Sequence, residues 1–164
     1  MQRKSNFYAF CLSMCIFLCN FAALLGSQYI VTMSRKVLLI FTGGTISMVR
    51  DTETGALHPA DMQTFKTYVP ELFAGDIHID MIPFEPLLDS SDLNPDNWRE
   101  MAQMVEQNYD AYDGFVILHG TDTMAYSASA LSFMFDNLCK PVVFTGSQLP
   151  VRVLRSDAKE NLLT

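Results

Sequence analysis

From residue 36 onward, short apolar runs take turns with segments of helical periodicity. Residues 37–41 read VLLIF, a continuous apolar run that predicts a strand covered on both faces. Residues 114–119 (GFVILH) and 141–145 (PVVFT) repeat the pattern, while residues 77–81 alternate apolar and polar as a half-buried strand does. Between them lie predicted helices. Residues 61–72 set Met62, Phe65, Val69 and Leu72 on one side behind Asp61 as N-cap, although Pro70 opposes the last turn. Asn94-Pro95 opens the next helix, a capping side chain followed by a residue whose missing N–H costs nothing there. Trp98, Met101, Ala102 and Val105 share its face, and Trp98 is expected in the core. Residues 124–138 form another, with Tyr126, Ala130, Phe133 and Met134 as packing residues. The closing RSDAKENLLT starts a helix with Ser156 or Asp157 as N-cap, and residues 51–60 read as a long loop. Strands separated by helices imply βαβ units: an α/β fold with a mainly parallel sheet flanked by helices.

Composition changes this picture little. The chain has 164 residues, 49% hydrophobic and 18% charged, with formal net charge -7. Arg3 and Lys4 are the only charges before Met33, so the acidic excess falls on the body. An acidic body argues against nucleic acid or an anionic membrane surface as partner. Cys11, Cys15 and Cys19 share one apolar N-terminal run and Cys139 stands apart; the absence of C-x-x-C or Cys/His ligand spacing speaks against zinc and redox roles and for a reducing compartment. Residues 1–33 form an apolar extension. They read either as a signal or anchor segment, which would place the protein in the periplasm or on a membrane, or as an over-extended start ahead of Met33, which is preferred and leaves a cytoplasmic protein. Residues 34–164 then form the folded body, and its last helix, lacking a stop signal, suggests an incomplete domain.

The candidate chemistry sits where the apolar runs end. Phe41-Thr42-Gly43-Gly44-Thr45, Leu118-His119-Gly120-Thr121-Asp122 and Phe144-Thr145-Gly146-Ser147 each leave a strand through glycine and hydroxyls. Open α/β sheets bind ligands at such carboxyl ends, so neighbouring strands would bring these turns together. The spacing fits neither a dinucleotide nor a P-loop phosphate cradle, and G-x-S-x-G is absent. A threonine becomes a nucleophile when a neighbour takes its proton, and surrounding glycines leave backbone N–H groups for an oxyanion. Asp122 is suited to hold an ammonium group or to orient a base. His119 is expected to be a packed, hydrogen-bonded core residue, His58 and His78 surface residues, and Ser147 either a pocket or a turn residue.

TGGTIS together with HGTDTM, and PLLDSSDLNPDNW between them, resembles the asparaginase/glutaminase amidohydrolases, in particular the bacterial type I, cytosolic asparaginases. The resemblance runs from about Lys36 to Thr164. It implies a flavodoxin-like N-terminal domain, truncated here, with the C-terminal domain absent, and no metal or organic cofactor. It further implies Thr45 as nucleophile, Thr121 and Asp122 as the pair that works with a lysine beyond Thr164, and Asp122 also as holder of the substrate α-amino group. Ser90 would bind the α-carboxylate, with Ser91 and Gly44 beside it. The substrate would be L-asparagine, with L-glutamine as the variant, and the full-length enzyme a homo-oligomer. Two departures stand out: the usual lid tyrosine has no counterpart near Ala56 or Leu57, and Lys159 does not match the catalytic lysine's place. The chain alone is therefore expected to be inactive. The competing readings are an asparaginase-like subunit of a glutamyl-tRNA(Gln) amidotransferase and a non-catalytic remnant.

Overall fold

A computed structural model describes residues 34–50 and 57–164. The apolar extension, most of the predicted loop and the stretch expected to carry a lid tyrosine lie outside the described residues, as does the side chain of His58.

Four strands form one parallel sheet in the order β4-β1-β5-β6: β1 (Arg35–Gly43), β4 (Ile77–Leu88), β5 (Gly114–Leu118) and β6 (Val142–Thr145). A small antiparallel pair, β2 (Met48–Arg50) and β3 (Leu57–Pro59), follows β1. The helices are α1 (Met62–Tyr68), α2 (Pro95–Asn108), α3 (Met124–Met134) and α4 (Ala158–Leu163). The central strand explains its own sequence. Leu38, Leu39, Ile40 and Phe41 are all essentially inaccessible, because helices cover both faces of the sheet. Leu38 and Ile40 pack with Met101 and Val105 of α2 and Leu131 of α3, whereas Phe41 packs on the opposite side with Phe65 of α1, Val69 and Ala158 of α4.

Local chemistry fixes the helix starts. Asp61 caps α1 by accepting the Thr64 N–H at 2.7 Å, and Pro70 ends the run predicted over 61–72, so that Pro70–Phe73 becomes a separate 3-10 turn. Asn94 caps α2 in a reciprocal box with Asn97, as its sequence predicts. β4 is longer than the alternation over 77–81 suggested. As an edge strand it tolerates Pro83 and Pro86, which a central strand would reject.

The helix predicted over 124–138 ends at Met134, and its packing face is not the one expected. Tyr126 is 70% and Phe133 90% exposed, and Met134 is also exposed; Ser127 and Leu131 face inward instead. Apolar side chains nearly encircle α3, so hydrophobic spacing alone could not select a face. Ser127 is buried because its Oγ accepts the indole N–H of Trp98 at 2.9 Å, which leaves Trp98 half-buried instead of fully in the core. Among the described residues, no helix is long and apolar enough to cross a membrane.

Candidate active site

The parallel order puts all four carboxyl ends on one side of the sheet, with the exits of β1 and β5 side by side. Thr42 is buried, and its Oγ1 donates to the Leu118 carbonyl of β5 at 2.9 Å, which ties the two ends together. The chain then turns at Gly44, with φ 83 and ψ 166, a backbone region open in practice only to glycine. Gly44 also sits against the other exit. A Cβ on it would lie 2.6 Å from the Gly120 nitrogen and 2.7 Å from the Gly120 Cα. β1 and β5 therefore meet backbone to backbone where they leave the sheet. Thr45 follows directly, exposed, at the head of a short 3-10 turn.

The loop after β4 closes the other side of Gly120. The partner of β1 jumps from Pro83 opposite Phe41 to Leu88 opposite Gly43, an irregularity that brings the next turn up to the β1 exit. In that turn Asp89 accepts the Ser91 N–H at 2.9 Å, and Thr123 Oγ1 donates to the Ser90 carbonyl at 2.6 Å. Ser90 is buried against Gly120: a Cβ there would fall 2.3 Å from Ser90 Oγ. Ser91 Oγ donates to the Asp122 carboxylate over a longer 3.3 Å. Gly44, Ser90, Ser91, Thr121 and Asp122 thus gather around one glycine junction, and Thr45 is held one residue from it.

Sequence reasoning missed Gln148. Its side-chain amide donates to Thr121 Oγ1 at 3.0 Å from the exit of β6. The available signal was its place one residue after Thr145-Gly146-Ser147. The loop is pinned from below by Asp157, which accepts the Gln148 and Leu149 N–H groups. Those bonds, Gln148's foremost, hold the Asp157 carboxyl below its ordinary range. Asp157 occupies the N-cap position of α4, yet its side chain serves this loop, and Ser156 Oγ accepts the Ala158 N–H instead. Ser147 takes a turn role, buried with its Oγ donating to the Leu149 carbonyl at 2.6 Å. His119 is buried, and burial pushes its pKa below the ordinary value against the opposing pull of a bond to the Gly120 carbonyl. Lys159 is engaged by Glu71 at 2.5 Å. A cavity of about 480 Å³ runs along β4 between Phe41, Met62, Met81 and Pro86, and none of the predicted site residues lines it. Among the described residues, no group of three or more His, Cys, Asp or Glu is placed to hold a metal ion.

A parallel α/β sheet whose adjacent exits carry hydroxyls, a carboxylate and interlocked glycines defines the class: an α/β protein with its candidate site at the carboxyl ends of neighbouring strands. Residues 36–164 match the family model described as Asparaginase, N-terminal, and the chain belongs to the asparaginase family. It is 46% identical over 130 residues to L-asparaginase 1 of Escherichia coli (strain K12), covering 79% of this chain and 38% of that protein. The crystal structure of L-asparaginase I from Vibrio cholerae O1 biovar eltor str. N16961 superposes with a TM-score of 0.70 at 46% identity, over 80% of this chain and 39% of that one. A component of the glutamyl-tRNA(Gln) amidotransferase of Thermoplasma acidophilum is 40% identical, over 78% of this chain and 31% of that protein. The chain spans less than two fifths of the length of these relatives.

Proposed function

We propose that this site belongs to an L-asparaginase, hydrolysing L-asparagine to L-aspartate and ammonia with Thr45 as nucleophile. The Thr45 hydroxyl attacks the side-chain amide carbon and gives up its proton to the Thr121–Asp122 side of the site. The amide nitrogen takes a proton and leaves as ammonia, and water then cleaves the resulting ester to release aspartate and restore the hydroxyl. Backbone N–H groups at the glycine exits stabilise the oxyanion in both steps. Asp122 holds the substrate ammonium, while Ser90 and Ser91 receive the α-carboxylate. The observation that carries this reading is the Gly44–Gly120–Ser90 junction, which brings the nucleophile's turn, the Thr-Asp turn and the serine turn within van der Waals reach. The cysteine pattern, without C-x-x-C or Cys/His ligand spacing, supports a cytoplasmic enzyme, and the resemblance adds assembly from like subunits.

Ligand binding tests the reading directly, because the resemblance places a catalytic lysine in a part of the family's length that this chain does not span. L-Aspartate titrated into the 164-residue chain is expected to bind. Asp122→Asn and Ser90→Ala are each expected to weaken binding by roughly tenfold, the scale of one lost charged hydrogen bond. Ammonia release from L-asparagine should not exceed that of Thr45→Ala. Binding left unchanged by both variants, or no binding at all, would count against the assignment. L-Glutamine in the same titration tests the amidotransferase alternative, which requires it to bind at least as well.

A further inference from the structure

We propose that His119 is a positioning residue of the site, fixing the Gly120–Thr121 peptide plane through its Nδ1–H. The proposal deepens the asparaginase reading and rests on it for its functional consequence. His119 is completely buried at the end of β5, and its Nδ1 lies 2.6 Å from the Gly120 carbonyl oxygen. A carbonyl only accepts, so Nδ1 carries the proton and Nε2 the lone pair. Among the described residues Nε2 has no hydrogen-bond partner, although it is buried. The ring's edge contact with Phe144, at 5.7 Å between centroids, would suit a phenylalanine equally well and without that orphaned nitrogen. What the imidazole adds over an apolar ring, among the described residues, is the bond to Gly120.

That bond acts on the site through covalent geometry. The Gly120 carbonyl and the Thr121 N–H belong to one planar trans peptide and point in opposite directions. Drawing the carbonyl toward the buried ring turns the Thr121 N–H the other way and sets the direction in which Thr121 and Asp122 leave the strand. The His119 backbone is itself fixed: its N–H donates to the Thr145 carbonyl at 2.9 Å, and Gly146 packs so closely that a Cβ there would lie 2.4 Å from the His119 carbonyl oxygen. Gly44 and Ser90 pack against Gly120 as far as its Cα, and the Gly120–Thr121 plane beyond it is the freer part, because glycine imposes no side-chain constraint of its own on that rotation. His119 supplies the constraint.

The test uses the ¹⁵N-labelled 164-residue chain. The ring nitrogens of His119 should report a protonated Nδ1 and a bare Nε2 at neutral pH, a signature that simple core packing does not require. In a weakly aligned sample, the N–H dipolar coupling of Thr121 should change in His119→Phe, while those of Val116 and Ile117 within β5 hold. His119→Asn, whose amide can donate from the place of Nδ1, should restore the wild-type coupling. L-Aspartate binding should fall by roughly tenfold in the Phe variant and stay within about threefold in the Asn variant, the scale of one hydrogen bond. A protonated Nε2 in the wild-type chain, or an unchanged Thr121 coupling in folded His119→Phe, overturns the proposal. Should the Phe variant not fold, the wild-type tautomer and the coupling in His119→Asn decide the matter. If the wild-type chain fails to bind L-aspartate while Thr121 still follows His119, the asparaginase reading falls and the positioning role stands.

Discussion

Replacing Gly44 by alanine strikes the site at its tightest point. Two costs arise from the structure. First, φ 83 with ψ 166 lies outside the ordinary reach of an L side chain, and holding alanine there costs about 1–3 kcal/mol. Second, the new Cβ would lie 2.6 Å from the Gly120 nitrogen, 2.7 Å from its Cα and 2.9 Å from the His119 carbonyl carbon. All three are backbone atoms, so no side chain can swing aside, and parting the two exits adds about 1–3 kcal/mol. The sum is a loss of about 2–6 kcal/mol. With a urea slope of about 1–3 kcal/mol per molar, that moves the unfolding midpoint by about 0.7 M or more. Gly75→Ala is the control, since a Cβ there meets nothing within 4 Å, and it should stay within about 0.5 kcal/mol of wild type. Urea unfolding of the three chains, followed by far-ultraviolet circular dichroism, makes the comparison. A Gly44→Ala chain as stable as the Gly75→Ala control would show that the exits of β1 and β5 are not in contact as described.

The other side of the same junction should behave as a coupled pair. Gly120→Ala drives a Cβ into Ser90, and adding Ser90→Gly should recover stability with a coupling of at least about 1 kcal/mol in a double-mutant cycle; simple additivity would contradict the contact. His119 predicts a pH dependence. Because burial holds its folded-state pKa below the usual 6.5, the unfolded chain takes up that proton first as pH falls, so stability is complete above about pH 6.5 and drops by up to about 1.4 kcal/mol per pH unit below it, until the folded-state pKa is reached. His119→Asn should flatten this slope between about pH 6.5 and 5.5, and parallel slopes would refute the origin. Ser127→Ala removes the acceptor of the Trp98 indole N–H and should cost about 1–3 kcal/mol, with a shift in the emission of Trp98, the chain's one tryptophan; unchanged emission would mean that the bond is not made.

The elements that the sequence announced share one property: a strong local signal with few alternatives. The run over residues 37–41 is apolar throughout because β1 is central and covered twice, and Asn94-Pro95 starts α2 because capping is a matter of a few adjacent residues. The failures arise where tertiary contacts choose among locally equal options. On α3, Tyr126 and Phe133 were as apolar as Leu131, and the choice fell to Ser127 through a tryptophan 29 residues earlier. β4 continues through Pro83 and Pro86 only because it lies at an edge, which local sequence does not reveal. The site divides in the same way. Its glycines, hydroxyls and carboxylate were legible as repeated strand exits, whereas the Gln148 contact with Thr121 depends on Asp157 anchoring a loop from nine residues further along.

Such a site derives its geometry from the sheet more than from its own side chains. Thr42 and Leu118 are 76 residues apart, yet the pairing of β1 with β5 sets them side by side before any functional group is placed. From there the two chains diverge through glycines packed against each other, so little slack separates the core from Thr45 on one side and Thr121 on the other. The immediate support is buried: Phe41 and Leu118, paired across the strands, belong to one apolar cluster with Ile46, the residue after Thr45. A core substitution at Phe41 or Ile46 should therefore displace the hydroxyl-bearing turn, although neither residue carries a reactive group. Interiors this closely packed transmit a displacement more readily than they absorb it. The same reasoning accounts for a buried histidine at the end of β5: where glycine removes the steric constraint that a side chain would impose, a hydrogen bond from the core must supply it.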